Sequence, residues 1–403
     1  MSGFLFHGGA SPLPSSLHIG SLALQQARAR GLRTHIVNTA LTLAHTAGVA
    51  ALADGVSAVD PDSPADCMRW ALDRGERFDV VMGLRDSVLE AAAHTAEVVG
   101  APGNPPAAVR RTRNKDECRE ALRAAGFRQP QLRLCHSAGA AMEFLAESTG
   151  PWVVKPRDGM GSIGVRLVEE PAELTAALAE LPDPELFLVE EYIDGPEFSA
   201  EGVFISGRPR VLAVTAKEKL PPPYFVELAH VLPANLPPET AAEMERQVTA
   251  ALLALGLRFG VFHVELWLTA TGVVLGEVHV RPGGDWLHAL LGYALPGLEL
   301  FGLVFDDALG RPVALPGHPV RGAATLYLTL PPGRLLEVRG WNEVLVQPDV
   351  LHADLTVSPG AGVVGSIRNS GDRAGVIVVG ADSAIAARTR AGELADSLAY
   401  TMA

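Results

Sequence analysis

The chain has 403 residues and a formal charge of −13, from 33 basic and 46 acidic side chains. This length exceeds what one hydrophobic core usually organises and predicts two to four domains, and a content of 48% hydrophobic and 20% charged residues is that of a folded protein. The net negative charge and the lack of a run of basic residues argue against a nucleic-acid partner, because binding its phosphates requires a positively charged surface.

The chain start and the cysteines predict a cytoplasmic protein. The start, MSGFLFHGGA, lacks a basic segment and a cleavage site, so it is predicted to be a first strand rather than a signal peptide. The most apolar long stretch carries Arg258, His263 and Glu265, which argues against a membrane span. The three cysteines are far apart in sequence and are expected to be reduced and inert: Cys67, Cys118 and Cys135.

Up to about residue 105, strand-like patterns alternate with helical ones. FLFHG, THIVN and FDVVMGL predict strands, whereas SLALQQARARG and DSVLEAAAHTAEVVG predict helices. This alternation is typical of a parallel α/β layer. The segment PGNPP at 102–106 marks a boundary, and RTRNKDECREALRAAGF after it predicts a helix that stops at Gly126.

From residue 151 the pattern is dominated by strands. WVVKP, VRLVEE, FLVEEYIDG and EFSAEGVFISG predict four strands, and PPETAAEMERQVTAALLALGL predicts a long amphipathic helix. FHVELWL and VVLGEVHV predict two strands joined by the tight turn TATG. From about residue 319, AATLYLTL, GVIVVG and a final helix starting near Asp382, a suitable N-cap, predict a small α+β module.

The glycine-rich segment GMGSIG at 159–164 matches the pattern G-x-G-x-x-G. A dinucleotide site needs a helix directly after the glycines, but the strand VRLV follows here. A protein-kinase loop has its lysine on the strand after the glycines, but Lys155 comes before them. Two interpretations remain: a hairpin in which Lys155, Gly161 and Ser162 bind phosphates, or a hairpin that is merely flexible.

The two strands at FHVELWLTATGVVLGEVHV place charged residues opposite each other. A turn centred on Thr271 pairs Glu265 with Glu277 and His263 with His279 on one face of the sheet. Two opposed carboxylates are unfavourable unless a cation lies between them or solvent screens them. The pattern therefore indicates either a cation site or an exposed face.

Three motifs in order, VVKPRDGMGSIGV, LVEEYIDGPEFS and HVELWLTATGVVLGEVHVRPGG, resemble the ATP-grasp superfamily, and RTRNKDECREALRAAGFRQP upstream does so too. Within it, the match is most like the carboxylate–amine ligases, including L-amino acid ligases, that make dipeptides and peptide antibiotics. The resemblance implies a multidomain α/β and α+β chain with the ATP-grasp fold. The implied parts are a parallel α/β pre-ATP-grasp domain (1–109), a leading helix with a lid (110–192), a catalytic part (193–318) and a small C-terminal α+β module (319–403).

The resemblance also implies roles for individual residues. Only four of the 33 basic residues are lysines, and all four fall at or beside phosphate positions of the family. The implied ATP contacts are Lys115, Lys155, Gly161, Ser162, Glu190, Glu191, Tyr192, Ile193, Glu197 and Lys217, with Lys219 as an alternative to Lys217. The implied substrate contacts are Glu227, His230, Arg281, Gly283 and Gly284, with Arg281 and Lys155 as catalytic residues. The alternatives are that Glu190 is a surface acid of a strand and that His230 is structural.

In this family Glu265 and Glu277 would hold Mg²⁺ against the ATP phosphates, since Mg²⁺ prefers oxygen ligands. The family usually has an asparagine two residues after the second acid, where this chain has His279. His279 is therefore either a metal ligand, which would make Mn²⁺ an alternative to Mg²⁺, or only a hydrogen-bond donor.

The resemblance implies an ATP-dependent, ADP-forming ligase that joins a carboxylate, such as an amino acid, to an amine through an acyl phosphate, in peptide or antibiotic-type biosynthesis. The glycine-rich hairpin would be a mobile lid. Two alternatives stay open: transfer of the acyl group to a carrier-protein thiol or a hydroxyl, and a nucleotide-binding regulator without turnover. The expected partners are small-molecule carboxylates and amines, with no nucleic acid and no membrane, and a homodimer is left open.

Overall fold

The computed structural model describes residues 2–403, whose N-terminal part forms a parallel sheet, as predicted, but with four strands in place of the three that were predicted. The strand order is β3-β2-β1-β4, with β1 (Gly3–His7), β2 (Arg33–Asn38), β3 (Gly55–Ala58) and β4 (Val80–Gly83). The helices are α1 (Pro14–Ala29), α2 (Ala40–His45), α3 (Ala47–Ala50), α4 (Pro64–Arg74) and α5 (Leu89–Val99), with a 3₁₀ turn at Asp86–Val88. Helix α1 begins about two turns before its predicted start, because a proline fits the first turn of a helix.

The second sheet, here called the lid sheet, is antiparallel and contains the glycine-rich segment. Helices α6 (Pro106–Arg113) and α7 (Lys115–Ala124) precede it, and its order is β5-β8-β6-β7. Its elements are β5 (Leu132–Cys135), α8 (Ala138–Glu147), β6 (Trp152–Pro156), β7 (Arg166–Val168), a 3₁₀ turn at Pro171–Glu173, α9 (Leu174–Leu178) and β8 (Phe187–Glu191). Strand β6 pairs with β7 in antiparallel fashion. The glycine-rich segment is therefore a connection between two strands, as predicted, and residues 157–165 are called the glycine lid below.

The third and largest sheet has eight strands and takes in part of the C-terminal region. The strands from here on are β9 (Glu197–Ile205), β10 (Arg208–Lys219), β11 (Glu227–Leu232), β12 (Val261–Thr269), β13 (Gly272–His279), β14 (Gly322–Leu328), β15 (Gly333–Arg339), β16 (Val350–Leu355), β17 (Gly362–Val363), β18 (Gly375–Ala381) and β19 (Ala399–Met402). The helices are α10 (Pro238–Ala254), α11 (Leu287–Ala294), α12 (Leu300–Ala308), α13 (Trp341–Leu345) and α14 (Ala384–Asp396), with a 3₁₀ turn at Ser370–Asp372. The order in this large sheet is β13-β12-β9-β10-β11-β14-β18-β16, and β17-β15-β19 form a small fourth sheet.

The packing joins regions that are distant in sequence. Phe4 of β1 shares a hydrophobic core with Leu290 of α11 and Val378 of β18, so the N-terminal sheet packs on the large sheet through α11 and α12. The strands predicted for the C-terminal module, β14 and β18, continue the large sheet. The domain boundaries inferred from the sequence stay a prediction. The final helix begins at Ala384, and Ser383 rather than Asp382 caps it, since the Ser383 side chain accepts a hydrogen bond from the N–H of Ala386.

The register of the β12–β13 hairpin differs from the prediction at the turn but agrees at its far end. Thr269 pairs with Gly272, so the turn has two residues and is not centred on Thr271. A register shift between Val264 and Leu266 then restores the predicted pairing of His263 with His279. Gly276 lies at this bulge, where an added Cβ would come within 2.4 Å of the Trp267 ring. The bulge therefore compensates the shorter turn and keeps both acids at the site.

The state expected for the cysteines agrees with the structure. All three cysteines are buried and unpaired, and burial raises the pKa of the Cys67 and Cys118 thiols to about 12 and that of Cys135 to about 11. Such thiols are protonated and unreactive at neutral pH. Within residues 2–403, no helix has both the length and the apolar character needed to cross a membrane.

Candidate active site

A cleft between the lid sheet and the large sheet brings together most of the predicted site residues. One wall is formed by the glycine lid, β6 and β8, and the other by strands of the large sheet. The predicted residues that line the cleft are Lys115, Lys155, Gly161, Ser162, Glu190, Tyr192, Ile193, Glu197, Glu227, Glu265, Glu277, His279 and Arg281. The predicted residues outside this lining are Glu191, Lys217, His230, Gly283 and Gly284, whereas Lys219, the alternative to Lys217, lines the cleft.

On the lid side of the cleft, one carboxylate is shared by two cations. Lys155 Nζ lies 2.5 Å from Glu190 Oε1, and Arg119 of α7 binds both oxygens of the same carboxylate, at 2.9 and 3.1 Å. All three side chains are buried. Burial lowers the pKa of Lys155, and the negative charge of Glu190 offsets part of this effect. Burial also raises the pKa of Glu190, but the positive charges of Arg119 and Lys155 outweigh burial and hold the pKa of Glu190 below its ordinary value. Glu190 is thus not a surface acid.

Arg119 was missed by the sequence analysis, although a signal for it exists. It lies four residues after Lys115 on α7 and one after the buried Cys118, so it falls on the buried side of an amphipathic helix. A charged residue in that position is rare unless it is paired. Lys115 itself begins α7, donates to the carbonyl of Gly159 at 2.9 Å and lies 3.4 Å from Glu277 Oε2.

Aromatic side chains line the cleft near the segment between β8 and β9. Tyr192 stacks on Phe225 with 5.9 Å between ring centroids, and Lys219 Nζ lies 5.7 Å from the centre of the Trp267 ring. The Glu191 carboxylate points elsewhere and accepts from the backbone N–H of Gln131 at 3.0 Å. The side chain of Glu191 is therefore occupied outside the cleft.

On the large sheet, three carboxylates surround the ammonium of Lys217. Its Nζ lies 2.5 Å from Glu265, 2.8 Å from Glu197 and 3.4 Å from Glu227, and the side chain is only 2% exposed. Oxygens of the three acids lie within 4.8 Å of one another. Lys219 contacts Glu197 as well and lines the cleft, which Lys217 does not. Each acid of the predicted pair therefore has a lysine beside it: Lys217 for Glu265 and Lys115, at 3.4 Å, for Glu277.

The acids on this sheet have the chemistry that a divalent cation needs. Burial raises the pKa of Glu265, but Lys217 and His263 outweigh it and hold the pKa well below its ordinary value. For Glu277 burial acts the same way, and Lys115 with His279 lowers the pKa to about 2. Both groups are therefore carboxylates at neutral pH, and carboxylate oxygens are preferred ligands of Mg²⁺.

A buried histidine supports Glu265 from behind. His263 Nδ1 lies 2.9 Å from Glu201, which also accepts from Ser199 Oγ at 2.8 Å, and His263 Nε2 lies 3.6 Å from Glu265. Burial lowers the pKa of His263, but Glu201 and Glu265 outweigh it and raise the pKa to about 9. His263 is therefore a fixed cation between two glutamates.

Arg281 and His279 are joined by an acid from the N-terminal part of the chain. Asp86 follows β4, and its carboxylate accepts from Arg281 Nε at 2.7 Å and lies 2.9 Å from His279 Nδ1. The other ring nitrogen of His279 lies 3.5 Å from Glu277. Asp86 was not predicted from the sequence, although polar groups after a strand of a parallel sheet gather at the ligand-binding edge.

His230, a predicted substrate residue, belongs to a network of ion pairs around Asp285. Glu227 contacts the same network, because its carbonyl oxygen accepts a hydrogen bond from Arg373. His230 Nε2 is 3.0 Å from Asp285, whose carboxylate also binds Arg373 at 2.9 and 3.0 Å. Tyr327 Oη donates to the same acid at 2.8 Å. His230 is 2% exposed, and Asp285 and Arg373 were not predicted.

The two predicted substrate glycines differ in their surroundings. A Cβ at Gly283 would come within 2.8 Å of His263 and 2.5 Å of Leu287, whereas a Cβ at Gly284 would meet nothing within 4 Å. Gly283 is thus required for packing against the histidine that supports Glu265. A side chain at position 284 would have open space around its Cβ.

Two regions of the chain match known protein families. Residues 148–289 match the model of the ATP-grasp domain, and residues 326–403 match that of the L-amino acid ligase C-terminal domain 2. An uncharacterised protein of Sinorhizobium fredii, y4rH, is 30% identical over 341 residues, which are 81% of this chain and 70% of that protein.

Two further proteins are matched over different shares of their own length. Carnosine synthase 1 of Gallus gallus is 31% identical over 278 residues, 61% of this chain, but the chain spans only 29% of that synthase's length. The crystal structure of an L-amino acid ligase from Bacillus licheniformis superposes with a TM-score of 0.79 at 23% identity, over 100% of this chain and 98% of the other, and so shares the fold. The chain belongs to the ATP-grasp superfamily, and its ATP-grasp domain is followed by the C-terminal domain found in L-amino acid ligases.

Proposed function

We propose that this chain is an ATP-dependent ligase that joins the carboxylate of an amino acid to an amine and releases ADP and phosphate. The observation that carries the proposal is the cleft itself, in which lysines on the lid side face carboxylates on the large sheet. The names of two matched proteins, carnosine synthase and L-amino acid ligase, support amino acids as substrates and a dipeptide as product. A role in the synthesis of a peptide antibiotic belongs to the same proposal.

The lid side is proposed to bind ATP. Tyr192, Ile193 and the backbone beside Glu190 would receive the adenine, and Glu197 the ribose. Lys115, Lys155 and the N–H groups at Gly161 and Ser162 would meet the phosphates. The left-handed backbone at these last two residues, with φ of 64° and 58°, is of the kind that forms anion-binding concavities.

The large sheet is proposed to hold the metal. Glu265 and Glu277 would be its ligands, with His279 as a third through Nε2, because Asp86 occupies the Nδ1 side of that ring. A divalent cation there would neutralise charge on the transferring phosphoryl group. Lys217 is paired with three carboxylates in this structure. If a metal bound Glu265 instead, the ammonium of Lys217 could bind a phosphate oxygen.

The two chemical steps are assigned to this chain's residues by what they can position. A carboxylate oxygen of the first substrate attacks the γ-phosphorus of ATP, ADP leaves, and an acyl phosphate forms. The amine nitrogen of the second substrate then attacks the acyl carbon, phosphate leaves, and the amine loses a proton. Arg281, held by Asp86, would grip the substrate carboxylate and its phosphate with its planar fork. Lys155 would stabilise the charge that moves toward ADP.

Glu227, which lines the cleft, and His230, which lies outside the lining, are proposed to act on the substrate side. Burial raises the pKa of Glu227, against the pull of Lys217, whereas the pKa of Glu265 is held low. Glu227 therefore accepts a proton from an incoming ammonium more readily than Glu265 does. His230 would keep Asp285 in place beside Gly283 and Gly284.

The location and assembly of the protein are proposals too. We infer a cytoplasmic protein, supported by three buried, unpaired cysteines and by the need for ATP. Its assembly as a monomer or a homodimer is to be measured by light scattering.

A screen of amino-acid pairs tests the function. Each pair is incubated with ATP and Mg²⁺, and ADP, phosphate and peptide are quantified together, with Glu265→Gln as an inactive control for contaminating ATPases. We expect the three products to appear in step for at least one pair. AMP and pyrophosphate would indicate adenylation instead, a product found only on a carrier thiol or a hydroxyl would favour that alternative, and ATP binding without release of ADP would favour a regulator.

A further inference from the structure

A short turn of the C-terminal region, residues 368–373, touches the glycine lid. The backbone N–H of Ser370 donates to the carbonyl oxygen of Gly161 at 2.9 Å. A Cβ at Gly161 would lie 3.6 Å from the Cβ of Ser370, so the two backbones are in close contact. Arg368 lies 3.8 Å from Glu180, which also accepts from Arg166 of β7 at 2.7 Å. The lid is therefore contacted by a segment more than 200 residues further along the chain.

The turn holds its own shape without help from the lid. Asp372 Oδ2 accepts from the N–H groups of Arg368 and Asn369 at 2.8 and 3.1 Å, and Asn369 Oδ1 accepts from the N–H of Gly371 at 2.8 Å. These reciprocal bonds form a capping box around the 3₁₀ turn. The N–H of Ser370 is thus aimed at the lid by a preformed support.

The other end of the turn is tied to the loop that follows Arg281. Arg373 is 8% exposed, binds both oxygens of Asp285 and donates to the carbonyl oxygen of Glu227 at 3.1 Å. Asp285 and Trp286 have left-handed backbones, with φ of 52° and 64°. Such backbones cost free energy in non-glycine residues and persist only where their surroundings hold them. Arg373 holds Asp285 by two charged hydrogen bonds, and His230 and Tyr327 bind the same carboxylate.

One rigid turn therefore connects the lid over the phosphates with the loop on the substrate side. We propose that Ser370, through its backbone N–H, and Arg373 are positioning residues, which keep the glycine lid closed over the acyl phosphate and tie its closure to the loop at 282–286. The chemical consequence rests on the proposed function. If the lid lifts, water attacks the acyl carbon in place of the amine, and the products are the free acid and phosphate without peptide.

The variant Ser370→Pro tests this directly. Proline removes the N–H that binds Gly161, and its ring occupies the space of that hydrogen bond. The position otherwise suits proline, because Ser370 is the first residue of the 3₁₀ turn and Asn369 before it is extended, with φ −149° and ψ 170°. Two properties are measured: hydrogen exchange of the lid amides with a non-hydrolysable ATP analogue bound, and phosphate released per peptide formed. We expect lid exchange about fivefold faster, as for the loss of one hydrogen bond, and a clear rise in phosphate per peptide.

Two control variants separate the hydrogen bond from other effects. Ser370→Ala changes the side chain but keeps the N–H, so both properties should equal those of the wild type. Ala138→Pro puts the same ring at the first position of the exposed start of α8 in the lid sheet, after the extended Ser137, and should also behave as the wild type. If Ser370→Pro does not fold, Arg373→Lys replaces it, since it keeps the charge but loses the paired grip on Asp285.

The outcomes distinguish this inference from the proposed function. Lid exchange that is the same in the wild type and in Ser370→Pro overturns the inference, whether or not the protein makes a peptide. Faster lid exchange with an unchanged ratio of phosphate to peptide overturns the shielding role. If no pair of substrates yields peptide even in the wild type, the proposed function fails, and the exchange measurement still decides whether the turn holds the lid.

Discussion

Two groups of buried charges face each other across the cleft, and they are unbalanced in opposite directions. On the lid side, Arg119 and Lys155 share the single carboxylate of Glu190, which leaves one positive charge in excess. On the large sheet, Lys217 is surrounded by three carboxylates, one of which also binds Lys219, so three negative charges face two positive ones and one negative charge is in excess. We call these the lid-side and the sheet-side ion group.

The difference between the two groups shows which part of a ligand each can accept. Buried charges are costly unless they are paired, and neither group is fully paired within the protein. The positive excess suits the phosphates of ATP, and the negative excess suits a divalent cation bound to those phosphates. Mg²⁺–ATP in the cleft would thus compensate both groups at once, whereas either part alone would compensate only one.

The largest expected effect follows from removing the carboxylate of the lid-side group. Glu190→Gln leaves Arg119 and Lys155 buried without a counter-ion, so we expect the free energy of unfolding to fall by about 3–5 kcal/mol. Urea unfolding of the ligand-free protein measures this. Glu191→Gln is the matched control, because its side chain is partly exposed and an amide oxygen can still accept from Gln131, and it should cost less than about 1 kcal/mol. Equal costs for the two variants would contradict the lid-side assignment.

The next effect concerns the sheet-side group. Glu265→Gln removes one charge from the predicted metal site, and loss of several kcal/mol of charge stabilisation corresponds to a kcat lower by about 10²–10³-fold. Kinetics over a range of Mg²⁺ concentrations should also show weaker Mg²⁺ dependence. Glu218→Gln, an exposed acid of the same sheet that pairs with Arg388, should leave kcat unchanged. A Glu265→Gln variant with full activity would remove this acid from the site.

A third effect separates the two cations of the lid-side group. Lys155→Met should fold, because Arg119 still binds both oxygens of Glu190. It should lose most of the stabilisation by ATP, which is about 2.7 kcal/mol for a ligand that binds only the folded state and is present at 100 times its Kd. Thermal scans with and without ATP measure it. Arg119→Met, which removes the other cation, should melt lower but keep its ATP response. Full ATP stabilisation of Lys155→Met would show that Lys155 is no phosphate ligand.

The smallest expected effect is a change in metal preference. If His279 Nε2 binds the metal, the wild type should be more active with Mn²⁺ relative to Mg²⁺ than His279→Asn is, because imidazole suits Mn²⁺ better than Mg²⁺. The ratio of kcat/KM with the two metals, measured for both proteins, is the test. The same ratio in both would leave His279 as a hydrogen-bond partner of Asp86 only.

Local patterns in the sequence predicted much of the fold around the cleft. Alternation along β12 and β13 put Glu265, Glu277 and the two histidines on one face, and the β-bulge preserved this although the turn was one residue shorter than assumed. The strand–glycine–strand pattern predicted the lid hairpin correctly, since it depends only on neighbouring residues. The family resemblance implied the ATP-grasp fold, which the comparisons confirm.

Only the tertiary structure decided which charges meet. Asp86 contacts Arg281, which is 195 positions away in the sequence, and Arg119 contacts Glu190, which is 71 positions away. Arg373 reaches Asp285 because β14 and β18 extend the large sheet, a pairing that no local pattern contains. Alternation and spacing determine which face of a strand a residue occupies, because the backbone repeats every two residues. Which partner lies on that face depends on packing between distant elements, and in this protein that packing forms the two ion groups and the contact on the lid.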